Sequence, residues 1–288
     1  MLSLKQVRSD VQFNHELSGL IDVLKGIASS QFRYLQAKRE YFLRFRRSIE
    51  DIFKTVGKVK SSHPFLKELT ADQDIRTAIA MITSDEGFLG ELNSRVINAG
   101  LARRSQQDEL IIIGQRGAHA LEDLKESFLY FQGIPDEIEH QQAESLRDYL
   151  IQQYLKKKFD RVLVIYPKFI SFAFQEVIVE QMLPYVPPQE PLQPPEPPTF
   201  IMPKSEILIE PSMERVVEIL VRIWMAQKIY DIFWESKLSE LASRVVHLEG
   251  SSQVVEELNK KLQFSYFRII HQISDKNIRE IFASRLIE

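Results

Sequence analysis

Two glycine-bearing turns and six histidines are the residues of this chain whose types and spacing could do chemistry. GQRG (Gly114–Gly117) follows a β-branched run and precedes a helical pattern, the place where backbone N–H groups cradle phosphates. It lacks the third glycine of a dinucleotide fingerprint and the GK[ST] of a P-loop, so it reads as a plain strand-to-helix turn. SDEGFLGELN (Ser84–Asn93) is a second loop after a strand. Asp85 and Asn93 have capping chemistry there, Gly87 and Gly90 permit unusual backbone angles, and no partner base lies near in sequence. His15, His63, His119, His140, His247 and His271 form no HxxxH or HExxH pair. His271, Asp275 and Glu280 share a helical stretch without making a compact ligand set, so no metal and no cofactor is expected. The chain has no cysteine, which removes disulfides, thiolate metal sites and a cysteine nucleophile and suits a reducing compartment.

Charge points toward a protein partner. The formal net charge of the 288 residues is -3, so no global field favours nucleic acid or an anionic membrane. Against that background Gln31–Lys60 carries nine basic residues and three acidic ones, net +6. The run reads either as a solvated helix face or as a basic girdle meeting an acidic ring on a partner. Nucleic acid is not expected, because no base-stacking aromatics lie on an open sheet face. The longest apolar runs, such as RVLVIYPKFISFAF, are broken by charge or proline and fall short of a membrane span. MLSLKQVRSD has no apolar core of a secretory signal. Any attachment to a membrane is expected to run through partners.

The elements that must position these residues fall into three stretches: residues 1–60, 61–211 and 212–288. No proline precedes Pro64 and none follows Pro211. A helix from Leu4 to about Val56 would be roughly 80 Å long and one from Ser212 to Ile287 roughly 110 Å, against about 40 Å for the domain between them. Both ends carry seams. A heptad runs through Leu4, Val7, Val11, Asn14, Ser18, Ile21, Lys25, Ala28, Phe32 and Leu35 and on to Phe53. Leu17, Leu20, Leu24 and Ile27 fill the neighbouring stripe where it turns polar. Leu238, Leu241, Val245, Leu248, Val255, Leu258 and Leu262 repeat the pattern near the other end. The expected fold is therefore α/β plus a long antiparallel α-helical coiled coil formed by the N- and C-terminal segments.

The middle stretch predicts strands at Thr77–Ser84, Glu109–Gly114 and Arg161–Tyr166, alternating with helices over residues 92–106 and 138–159, hence a mostly parallel sheet. A turn at YPKF leads to an antiparallel neighbour within residues 170–184. Ten of the thirteen prolines lie between Pro184 and Pro211, so residues 184–203 should form an extended surface segment. KSEILIEP after it reads as a final edge strand.

Taken together, these residues resemble the gamma subunit of F-type ATP synthases. SLKQVRSDV is similar to the family's SLKEIRxRI, and LKGIASSQFRYLQ to MxMVAASKLRRAQ. ITSDEGFLGELNSRVI resembles TSDRGLCGGLNSxVI, IIIGQRG resembles xxIGRKG, and KSEILIEPS is similar to xYLYEPD before the last helix. YFRIIHQISDKNIREI follows YNKARQAxITxELxEI, so the likeness covers the whole length in order. There are departures: Glu91 stands at a family glycine where close backbone approach is expected, ELSGLI (Glu16–Ile21) replaces NTxKIT, and Ile270 and His271 replace the Arg-Gln pair of the upper bearing.

The resemblance implies a non-catalytic rotor that transmits torque between a membrane c-ring and a catalytic alpha–beta hexamer. Its partners would be alpha, beta, epsilon and the c-ring, on the cytoplasmic side of a bacterial membrane. Candidate interface residues are Arg33, Arg39, Arg46, Arg47, Glu206, Glu210, His271, Ile278 and Phe282. The rivals are a coiled-coil tether with an α/β head, and an α/β enzyme with helical appendages.

Overall fold

The computed structural model describes residues 4–56, 63–66, 75–186, 210 and 212–285, and of residues 39–56 and 284–285 the backbone only. With no proline to interrupt them, the terminal segments form single helices: α1, Leu4–Val56, of 53 residues, and α5, Met213–Arg285, of 73. No helix of the described residues is long and apolar enough to cross a membrane. The chain divides into two compact units, residues 1–30 with 244–288, and residues 31–243.

In the first unit the start of α1 lies against α5 along an apolar seam. Ile21, Leu248 and Val255 are buried together, with Leu17 and Leu24 packed on them. Lys25 meets Glu249 at 3.0 Å, while Ile21, one turn earlier in α1, reaches Val255 further along α5; the two helices run antiparallel. From Leu4 to Ala28 no heptad position is exposed. Leu20 and Ile27 are an exception to the expected stripe, being 57% and 51% exposed. A single facing helix covers a band about one heptad seam wide, and these two fall outside it. Lys25 occupies a seam position by burying its stem and ending its ammonium on Glu249 and Asp22. From His271 to Ala283 every residue of α5 is exposed.

The second unit is built on a five-stranded sheet in the order β3-β2-β1-β4-β5: β1 Thr77–Ile82, β2 Glu109–Ile113, β3 Phe128–Phe131, β4 Arg161–Phe169 and β5 Gln175–Leu183. β1 pairs in parallel with both β2 and β4, β2 with β3, and β5 is antiparallel to β4. Every residue of β1 is buried, which is why TAIAMI shows no polar alternation. Helices α2 (Leu92–Leu101), α3 (Gln115–Asp123) and α4 (His140–Leu155) connect the strands. On one face Val96, Ile97, Ala118 and Leu121 pack on Ile79, Met81, Leu110, Ile112 and Ile165. The part of α5 in this unit is itself deeply buried, through Val217, Val221, Met225, Ile229, Phe233, Leu238 and Leu241.

Three expectations need correction. β3, Phe128–Phe131, is a strand that the sequence pattern does not predict. The chain does not turn at YPKF: β4 continues through Pro167, which pairs with Val177, to Phe169. Pairing with β1 stops at Ile165, so the missing proline N–H interrupts no ladder on that side. The proline-rich stretch does not start on the surface either, because Tyr185 is 8% exposed, donates its N–H to the Phe65 carbonyl and stands edge-on to Trp224. The remainder of that stretch and most of KSEILIEP lie outside the described residues.

Candidate functional site

An open α/β sheet binds small molecules in the crevice at the carboxyl ends of its strands where the strand order reverses, here between β1 and β4. α5 occupies that crevice. Ser239 Oγ shares its proton between the Pro167 carbonyl (3.0 Å) at the end of β4 and the Glu235 carbonyl (2.8 Å) of its own helix, and Ser243 Oγ donates to the Leu89 carbonyl (2.9 Å) in the loop after β1. Between Ser236, Glu240, Ser84 and Asn93 there remains a void of about 10 Å³, space for a single water.

The GQRG turn is closed from within the chain. At the start of α3, the Gln115 N–H donates to Asp85 Oδ1 at 2.8 Å and the Arg116 N–H to the Ser84 carbonyl at 3.0 Å. A carboxylate thus stands where a phosphate would have to bind. Gly114 has φ of 104°, and a Cβ there would strike the Thr83 carbonyl oxygen, so packing against the end of β1 accounts for this glycine. In the Ser84–Asn93 loop, Asp85 caps α3, while Asn93 accepts from the Ser84 N–H (3.2 Å) and donates to Ser84 Oγ (2.8 Å). Glu91 precedes α2 at φ −93°, which any residue adopts, and is exposed. The family glycine is not needed here.

Among the described residues no group of three His, Asp or Glu side chains could hold a metal. His15, His119, His247 and His271 are exposed. His140 stacks on Tyr230 at 3.7 Å, and burial beside Phe65 pushes His63 below the usual imidazole value. The other perturbed groups are tyrosines raised by burial, such as Tyr154, and structural pairs. Glu249 holds the Lys25 ammonium above its ordinary range, and Arg76 holds the Asp160 carboxyl below its own.

What the fold does present is apolar surface on helices. Phe13, Leu20 and Ile27, one heptad apart on α1, are 64%, 57% and 51% exposed, with Val23 between them. On α5, Phe264 is 77% and Phe282 63% exposed, with Phe267, Ile278 and Ile281 over half exposed. Such stripes mark surfaces for other proteins. The sequence holds a signal for the α1 stripe, a second heptad in phase with Phe13, although Leu20 and Ile27 fit equally the stripe neighbouring the seam.

The interface candidates distribute as follows. Arg33 is an exposed residue of α1, and Glu210 is exposed before α5. His271, Ile278 and Phe282 share the exposed last turns of α5. Arg39, Arg46 and Arg47 lie on α1 where side chains are not described, and Glu206 is outside the described residues.

Comparison with known proteins gives one consistent result. A family model described as ATP synthase matches residues 3–284. The ATP synthase gamma chain of Mycoplasmopsis pulmonis is 24% identical over 284 residues, covering 98% of this chain and 99% of the relative. That of Halothermothrix orenii is 26% identical over 288 residues, covering 98% and 97%. The rotor of the Euglena gracilis mitochondrial ATP synthase shares the fold, with TM-score 0.65 at 14% identity over 94% of this chain and 98% of that one.

Proposed function

The chain belongs to the ATP synthase family, and from that premise we propose that it is the central rotor subunit of an F-type ATP synthase and has no catalytic site of its own. Residues 1–60 and 212–288 are the stalk and 61–211 the foot. One observation carries this reading. The crevice where an α/β sheet would hold a nucleotide is filled by α5, while α5 and α1 turn apolar stripes outward. Surface of that kind binds protein, and the gamma-chain relatives supply its identity.

The partners are the alpha and beta subunits around the stalk, with epsilon and the c-ring at the foot. The assembly sits on the cytoplasmic side of a bacterial membrane. Ion flow turns the ring and the foot follows. The asymmetric stalk then contacts each beta subunit differently and so shifts its nucleotide affinity. Arg33, Arg39, Arg46 and Arg47 face acidic segments of beta, and Glu206 and Glu210 belong to the foot. Ile278 and Phe282 turn in an apolar sleeve, where non-directional contact favours no single angle. His271 keeps one donor where the family has an Arg-Gln pair.

Co-expression with the cognate alpha and beta subunits tests the proposal. A stable complex with one copy of this chain per hexamer is expected. Self-association without affinity for the hexamer would instead support the tether, and saturable nucleotide binding by the isolated chain would support the enzyme.

A further inference from the structure

Two loops and the end of one strand of the α/β unit each offer a backbone carbonyl to α5, and we propose that the side chains taking them, Lys237, Ser239 and Ser243, form the spline through which the foot turns α5. Lys237 Nζ donates to the Ile134 carbonyl at 3.3 Å, Ser239 Oγ shares its one proton between the Pro167 carbonyl at 3.0 Å and the Glu235 carbonyl of its own helix at 2.8 Å, and Ser243 Oγ donates to Leu89 at 2.9 Å. These acceptors come from the loop after β3, the end of β4 and the loop after β1. At about 100° per residue, Lys237 and Ser239 leave the helix roughly 160° apart, whereas Ser239 and Ser243 leave it roughly 40° apart. The loops therefore grip α5 from two opposite sides, and no rotation about its axis can relieve one contact without straining another.

Apolar packing alone would be a poor drive, because it is non-directional and lets one surface slide on another. Hydrogen bonds with fixed acceptors resist rotation, and two of these are shielded from water: Ser239 is fully buried and the Lys237 side chain is 5% exposed, while Ser243 is half-buried. Lys237 is also the centre of a charge cluster. Its ammonium lies 3.2 Å from Glu240 and 3.3 Å from Asp136, and Asp136 in turn accepts from Gln31 Nε2 of α1 at 2.9 Å. One loop thus contacts α1 through Gln31 and α5 through Lys237. The small serines let α5 approach the loop backbones, so the residues that fill the nucleotide crevice also key the helix to the sheet.

This inference rests on the rotor reading, and its test is made in membrane vesicles carrying the complete complex. ATP hydrolysis is measured beside the membrane potential generated per ATP, read with a potential-sensitive dye. Lys237→Met keeps all but the last atom of the side chain's length and removes the charge. It is expected to hydrolyse ATP while losing about half or more of the potential per ATP, because a directional buried contact has gone. Lys237→Met also takes one ion-pair partner from the buried Glu240, so Lys237→Met/Glu240→Gln separates stability from drive: it should regain part of the lost melting temperature and remain uncoupled. Ser239→Ala/Ser243→Ala should uncouple in the same sense with little loss of stability. If coupling returns together with the melting temperature, Lys237 is an ordinary stability contact and the spline is refuted. Unchanged coupling in both Lys237→Met and the double serine variant refutes it equally. Failure of the unsubstituted chain to join the hexamer would overturn the rotor reading itself, and the spline with it.

Discussion

Replacing Leu248 by alanine tests the pairing of the terminal helices. Leu248 has no exposed surface and packs in one cluster with Ile21 and Val255. Truncation removes three carbons, worth about 2.4 kcal/mol at about 0.8 kcal/mol each. The cavity left between two helices that cannot fully close on it brings the total to about 3–4 kcal/mol. Leu258, another leucine of the heptad on the same helix, is 44% exposed, and its truncation should cost less than about 1 kcal/mol. The seam can open while the sheet stays folded, so global denaturation would under-report the effect. Amide hydrogen exchange resolved by mass spectrometry over residues 244–258 reads it directly. A loss of about 3 kcal/mol speeds exchange by about a hundredfold in Leu248→Ala, against less than about tenfold in Leu258→Ala. Ile21→Ala combined with Leu248→Ala should be less than additive, since both empty the same cluster. Equal effects of the two leucines, or strict additivity with Ile21, would refute the packing described.

Other perturbations read the second unit. Asp160 is held below its ordinary 3.8 by hydrogen bonds from Arg76. That stabilisation is present above the ordinary value and is lost as pH falls through the depressed one. Asp160→Asn should therefore lower the denaturation midpoint near neutrality by no more than about 1 kcal/mol equivalent, and the gap should close in acid; a gap persisting there contradicts the pairing. Burial raises the Tyr154 hydroxyl to about 12. Its contribution is complete below pH 10 and disappears as pH rises through about 12, so phenolate absorbance should show a late-ionising class, shared with Tyr149, that Tyr154→Phe diminishes. Gly114→Ala forces a side chain into φ 104° and against Thr83, and should cost about 2 kcal/mol or more in thermal denaturation. Phe282→Ser, at a residue 63% exposed, should leave stability within about 0.5 kcal/mol while weakening assembly with the hexamer.

The sequence displays some of this fold openly and hides the rest for physical reasons. β1, β2 and β4 were legible because strands buried on both faces must be continuously β-branched and apolar. The seam was legible because a heptad through Val7, Ile21 and Ala28 has few other uses. Which flanking stripe is buried was not legible: Leu20 and Leu24 are the same residue type, and only the facing helix decides between them. β3 escaped because a four-residue edge strand has no room for alternation. The turn was misplaced because proline normally ends a strand, and only the absence of a β1 partner beyond Ile165 explains Pro167 within β4. The filling of the crevice could not be foreseen, since Ser239 and Ser243 on a helix read as solvated until the carbonyls they face are known. Glu91 shows the reverse case, a change at a family glycine that the backbone accepts without strain.

The central claim is that this chain turns. Because it has no cysteine, a single Glu122→Cys on the exposed surface of α3 can carry a gold particle while the alpha–beta hexamer is fixed to glass. Rotation of the particle in one direction, in steps that depend on ATP concentration, is the result expected of a rotor. A chain that binds the hexamer firmly and stays at one angle while ATP is hydrolysed would contradict the account.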